Sequence, residues 1–133
     1  MPTDDVDDVV GWFRPDPQAV SGARRFIRRA VTDIDGGPID GDLVYVLVMA
    51  ANELATNAVL HARTEFTVRV LIDAHRVRVE VSDGNTRMPQ PCLTPAEATS
   101  GRGLAIVDGT GLQWGAERHA RGKTLWIQAP LQP

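Results

Sequence analysis

The sequence predicts an α+β two-layer sandwich, with a mixed, mostly antiparallel sheet and helices on one face. Three observations carry this. Two alternating runs, Phe66-Val68-Val70-Ile72 and Val77-Val79-Val81, are separated by only a short link, which makes them an antiparallel hairpin. A second pair of strand-like runs closes the chain, at 112–117 and 123–129. Ahead of the strands lies a helical segment, 43–60, that is apolar almost all round, and such a helix is buried on most sides. Strands grouped in pairs, without a helix between each, imply an antiparallel or mixed sheet with its helices on one face.

The elements follow in order. A chain of 133 residues suggests one domain, large enough to bury a core without disulfides or metals. Residues 1–9 are rich in Asp and read as a flexible N-terminus. Residues 11–14 read as a short edge strand, stopped by Pro15 and Pro17. Asp16 or Ser21 can cap a helix over 19–31, with Val20, Ala23, Ile27 and Ala30 at helical spacing. Its other face is basic, with Arg24, Arg25, Arg28 and Arg29. That face is either simply solvated or a docking surface for an acidic partner. Residues 35–38 form a loop by their breakers. Asp40 or Asp42 can cap the long apolar helix, which runs to about His61. Residues 84–100 show little periodicity, with room for one helical turn near 95–98. A loop of that length inside a small domain is usually functional. A short helix is expected at 103–107, and a loop containing Gly122 joins the last two strands.

Bulk composition excludes several roles. The net charge of −3 argues against a nucleic-acid binder, which would usually be basic, and against a polybasic membrane anchor. Cys92 is the single cysteine, so no intrachain disulfide or cysteine metal cluster can form. The acidic N-terminus does not read as a signal peptide, and no run of about 18 apolar residues suggests a span. A cytoplasmic setting is expected.

Three polar features stand out. Glu53 and Asn57 lie four residues apart on the apolar helix, about 40° apart around its axis, with Thr56 nearby and His61 one turn on. A carboxylate on a buried helix is costly unless it is paired. Glu53 could simply meet an arginine; equally, a Glu and an Asn at this spacing could hold an activated hydroxyl and a magnesium ion, which takes oxygen ligands and keeps several waters. Asp83, followed by Gly84, ends a strand. That is ordinary turn chemistry, or a carboxylate placed to accept a hydrogen bond from an adenine amino group. The third is Ser100-Gly101-Arg102-Gly103-Leu104. Its glycines allow close backbone approach, and the helix after them offers free N–H groups for phosphate, with Arg102 adding charge. A plain loop-to-helix turn would look the same. Two better-known phosphate motifs fail. A dinucleotide fingerprint needs glycine where Ile106 stands, and a P-loop ending in Gly122-Lys123-Thr124 needs glycine where Glu117 stands and a helix afterwards.

Taken together, the three segments resemble the Bergerat-fold ATPases, the group of gyrase B, the histidine kinases and MutL. Glu53-Leu54-Ala55-Thr56-Asn57-Ala58-Val59-Leu60-His61-Ala62 looks like the N box of that group, Asp83-Gly84 like its G1 box, and Gly101-Arg102-Gly103-Leu104 like its G2 box. Within the group the chain is most similar to the anti-sigma-factor serine kinases. The resemblance implies a Bergerat-type sandwich and one histidine-kinase-like ATPase domain over 10–133. It implies ATP and Mg2+ as cofactors, with Asn57 on the metal, Glu53 as general base and Asp83 on the adenine. Gly84, Gly101, Arg102, Gly103 and Leu104 would complete the nucleotide site, Thr124 would place a hydroxyl near the adenine, and His61 would be structural. One departure is plain: the glycine usually two residues after the G1 aspartate is Asn85 here, and Gly84 follows Asp83 directly.

The implied function is that of an ATP-binding anti-sigma factor and serine/threonine kinase. Its partners would be a sigma factor and a STAS-type anti-anti-sigma protein, with homodimers possible and no direct contact with nucleic acid or membrane. The alternative is a regulatory module that binds nucleotide without transferring phosphate. A third reading keeps the fold as an interaction surface alone.

Overall fold

The computed structural model describes residues 7–32, 41–85 and 112–131. Five strands form one sheet in the order β1-β2-β3-β5-β4: β1 (Asp7–Phe13), β2 (Phe66–Ile72), β3 (Arg76–Asp83), β4 (Gln113–His119) and β5 (Gly122–Pro130). Every neighbouring pair is antiparallel, so among the described residues the sheet shows no parallel pairing. Two helices, α1 (Pro17–Thr32) and α2 (Gly41–Asn57), pack on the sheet and share one apolar core with it. The expected α+β sandwich is the observed one.

α1 starts two residues before the expected boundary. Pro17 takes the first helical position, where its missing N–H costs nothing. Asp16 is the cap, its Oδ1 accepting the N–H of Gln18 at 2.9 Å. Ala23, Ile27 and Val31 are fully buried at i, i+4 and i+8, while Arg24, Arg25, Arg28 and Arg29 are exposed. α2 buries Leu47, Val48, Ala50, Ala51, Leu54 and Ala55, yet Tyr45 and Met49 are exposed among the described residues. The helical segment Gly41–Leu60 is long and apolar enough to cross a membrane by composition alone, and half of it is buried inside the domain. The expectation of no such run is therefore corrected, and the physical reason is the demand of the sandwich core. After Asn57 the helix widens into a π-helical turn, Ala58–Ala62. Arg63, left-handed at φ 56, ends it by donating its N–H to the carbonyl of Ala58 at 3.0 Å.

β1 begins at Asp7, so residues 7–9 belong to the sheet and not to a flexible leader. The Asp-rich segment is held by cross-strand chemistry that its composition hides: Arg69 of β2 donates to both carboxylate oxygens of Asp8, at 2.9 and 2.6 Å. The other end of β1 is pinned by Phe13, which stacks on Phe66 at 5.4 Å and meets Phe26 of α1 edge-on at 6.1 Å.

β2 and β3 match the predicted hairpin. Asp73 organises its turn by accepting the N–H groups of His75 and Arg76 at 2.7 and 2.9 Å. The bond from His75, helped by that from Arg76 and by its charge, outweighs partial desolvation and holds the Asp73 carboxyl below its usual range. The last hairpin needs only Ala120 and Arg121 as its turn, because Gly122 is the first residue of β5. Gly122 has φ +145, and a Cβ there would lie 1.9 Å from the carbonyl oxygen of Asp83. Only glycine fits both the conformation and the close approach.

Two predictions follow from these turns. Gly122→Ala should destabilise the domain by about 2–4 kcal/mol in urea unfolding, from positive-φ strain plus the clash. Asp73→Ala should cost about 1 kcal/mol at neutral pH. A depressed folded-state pKa gives stability that is present above the unfolded value and lost as pH falls through the folded one. The gap between wild type and Asp73→Ala should therefore close below the ordinary carboxylate range; a gap that persists unchanged in acid would refute the assignment.

Candidate functional site

The site grows from strand alternation. On β3, Val77, Val79, Val81 and Asp83 are buried, while Arg78, Glu80 and Ser82 alternate with them. On β5, Lys123, Leu125, Ile127 and Ala129 are buried in the same way. Asp83 and Lys123 are register partners, so two charged residues end two apolar phases side by side. Lys123 Nζ donates to Asp83 Oδ1 at 2.9 Å, with the two side chains 6% and 2% exposed. The same ammonium donates to the carbonyl oxygen of Asn85 at 3.1 Å. The N–H of Asn85 returns a 2.9 Å bond to Asp83 Oδ1, and the N–H of Gly84 donates to Thr64 Oγ1 at 2.8 Å. Thr64 lies just past the π-turn, so this last bond ties the end of the Glu53 and Asn57 helix to the strand end that carries Asp83.

Gly84 does not owe its place to a left-handed backbone, since Gly122 is the single positive-φ glycine among the described residues. A Cβ at Gly84 would sit 3.4 Å from Thr64 Cβ and Cγ2, an ordinary contact. The departure from the usual G1 spacing is thus accommodated by an Asx turn on Asp83 and the Thr64 bond.

Glu53 and Asn57 share a side of α2, Glu53 half-buried and Asn57 only 7% exposed. Among the described residues the Asn57 side chain makes no hydrogen bond, and it does not cap the π-turn. Its amide oxygen is therefore available to a ligand. No cluster of three His, Cys, Asp or Glu able to hold a metal occurs among the described residues. A hard cation here would take one protein oxygen and complete its shell with phosphate and water, as Mg2+ commonly does. The neighbouring Asn52 buries its Oδ1 without a partner, while Thr56 Oγ1 is spent on the Asn52 carbonyl at 2.8 Å.

Thr124 is placed differently from expectation. Alternation puts it on the opposite face from Asp83, where its hydroxyl meets Ser82 Oγ at 2.7 Å and His119 Nε2 at 3.2 Å. The residue that shares the face of Asp83 is Lys123, which the motifs single out only as part of a failed P-loop. Its signal was in the sequence: Lys123 is in phase with Leu125, Ile127 and Ala129, as Asp83 is with Val77, Val79 and Val81. Gly101, Arg102, Gly103 and Leu104, the loop 86–100 and the short helix at 103–107 lie outside the described residues. The side chain of His61 does too.

A helix carrying Glu53 and Asn57 one turn apart thus lies against an antiparallel sheet whose strand end holds the buried Asp83. The histidine kinase-like ATPase domain family model matches residues 13–129, and the chain belongs to that family. The resemblance drawn from the three boxes thus holds, and family membership implies ATP as the nucleotide. A solved structure of the RsbU and RsbW domains of Rv1364c from Mycobacterium tuberculosis is similar in fold, with a TM-score of 0.67 at 19% identity. The alignment covers 96% of this chain and 33% of that one, so the present chain spans about a third of the longer protein. No curated protein matches the sequence.

Breaking the buried pair should be severe. Lys123→Met leaves the Asp83 carboxylate buried and unpaired, and should cost about 3–5 kcal/mol in urea unfolding. The paired change Asp83→Asn with Lys123→Met removes both charges and should recover most of that loss.

Proposed function

We propose that the domain is an ATP-binding anti-sigma regulator acting as a serine/threonine kinase on a STAS-type anti-anti-sigma protein, in a cytoplasmic setting. The observation that carries this reading is the pairing of Glu53 with an uncommitted Asn57 on α2, joined through Thr64 and Gly84 to the strand end of Asp83. Asn57 would lend its amide oxygen to Mg2+, whose charge, when bound, offsets that of the phosphates. Asp83 would take the adenine amino group. Glu53 would accept the proton of a serine or threonine hydroxyl as the hydroxyl oxygen bonds to the γ-phosphorus and ADP leaves. Such transfer relies on positioning and charge stabilisation more than on covalent chemistry by the protein. Gly101, Arg102, Gly103 and Leu104 would close the phosphate side. The exposed arginines of α1, none ion-paired among the described residues, suit an acidic face on the sigma factor or antagonist.

Radiolabelled ATP incubated with the domain and candidate STAS proteins tests the proposal. Glu53→Gln should abolish labelling of the partner while calorimetry still shows ATP binding within a few-fold of wild type. Undiminished transfer by Glu53→Gln would remove Glu53 from the role of base. ATP binding by wild type without transfer to any partner would favour the module that switches by occupancy alone.

A further inference from the structure

We infer that Lys123 is a specificity-determining residue of the nucleotide site, reading the purine ring edge together with Asp83. The inference rests on the proposed ATP site and adds a second base-reading group to it. An ammonium has three N–H donors and no acceptor. Two are fixed by Asp83 Oδ1 at 2.9 Å and the Asn85 carbonyl at 3.1 Å, so tetrahedral geometry fixes the direction of the third. No acceptor for it occurs among the described residues. Asp83 shows the complementary situation. Its Oδ1 takes both Lys123 and the Asn85 N–H, and Oδ2 accepts no hydrogen bond among the described residues. The buried strand end therefore offers one acceptor and one donor, held close together by the ion pair itself.

That pattern matches one edge of one class of base. A 6-aminopurine presents an N6–H donor beside the N1 acceptor, so Oδ2 can accept from N6 while Lys123 donates to N1. A 6-oxopurine presents the reverse, an O6 acceptor beside an N1–H donor, and would set acceptor against carboxylate and donor against ammonium. In a buried site a mismatch leaves polar groups unpaired, which discriminates far better than a missing apolar contact. A purely structural lysine would neutralise Asp83 and do nothing to N1.

Calorimetry on the whole chain with Mg2+ and four nucleotides separates these roles: ATP, 1-deaza-ATP (N1 replaced by C–H), purine riboside triphosphate (no 6-amino group) and GTP. Wild type should bind ATP about tenfold or more tightly than 1-deaza-ATP, the loss expected for one hydrogen bond to a charged donor, and should reject GTP more strongly still. In Lys123→Met, ATP affinity should fall to that of 1-deaza-ATP, bringing their ratio to about one, while purine riboside triphosphate stays weaker than ATP. A structural lysine would weaken all four alike and keep the ratio. Equal binding of ATP and 1-deaza-ATP by wild type overturns the inference, and that comparison decides it even if Lys123→Met does not fold. Binding of no nucleotide by wild type overturns the ATP site, and this inference with it.

Discussion

The ion pair between Asp83 and Lys123 is the constraint on which the candidate site depends. Two opposite charges sit at the ends of adjacent central strands, 2.9 Å apart and almost wholly out of solvent. Burying them carries a desolvation cost that their attraction repays only with good geometry and further hydrogen bonds. Both conditions are met locally. Asn85 supplies an acceptor to the ammonium and a donor to the carboxylate. Gly122 brings its backbone against the Asp83 carbonyl, where no side chain could be. The turn after β3 and the start of β5 are thereby fixed to each other, and Thr64 fixes the same turn to the helical layer. Remove the pair and three chain segments lose their common reference.

α2 obeys a different constraint. Its inner side fills the sandwich core, where Ala50, Ala51, Leu54 and Ala55 are buried and continue into Ala58 of the π-turn. Against this background a buried Asn57 is expensive unless something polar uses it. The π-helical turn that follows is a second local cost; such turns are rare and are frequently found at functional sites. The two costs fall next to each other in sequence, one residue apart. Their adjacency makes the end of α2 the place where the helix departs both from apolar packing and from α-helical geometry.

Much of this was legible in the residues, for reasons that differ element by element. The alternation in β2 and β3 is strict because one face packs on helices and the other does not, so their hairpin could be read directly. α1 was legible from Ala23 and Ile27, its start less so, because Pro17 looks like a breaker although it is favoured in the first turn. β1 was legible only from Gly11 onward: Asp8 looks like a solvent residue until Arg69, on another strand, is brought beside it. The π-turn could not be read at all, since 58–62 has the composition of ordinary helix. Among the site residues, Glu53, Asn57 and Asp83 announced themselves by polarity in apolar surroundings. Lys123 did so only weakly, because a lysine at a strand start is expected to reach solvent; its phase with Leu125, Ile127 and Ala129 is the signal, and the register with Asp83 gives that signal its meaning.

The same register explains how the sheet divides its two faces. Shifting β5 by a single residue would exchange Lys123 for Thr124 and turn Leu125, Ile127 and Ala129 outward. The core therefore enforces which of the two polar neighbours meets Asp83. On the other face, Trp126 lies under the guanidinium of Arg78 at 4.2 Å and leaves no room for a side chain at Gly115, where a Cβ would be 2.5 Å away. Arg78 in turn holds Glu80 at 2.7 Å. That packing locks β3, β5 and β4 in register from outside, as the apolar phases do from inside. A hydroxyl at 124 is thus committed to Ser82 by the fold, and the chemistry beside Asp83 belongs to an ammonium.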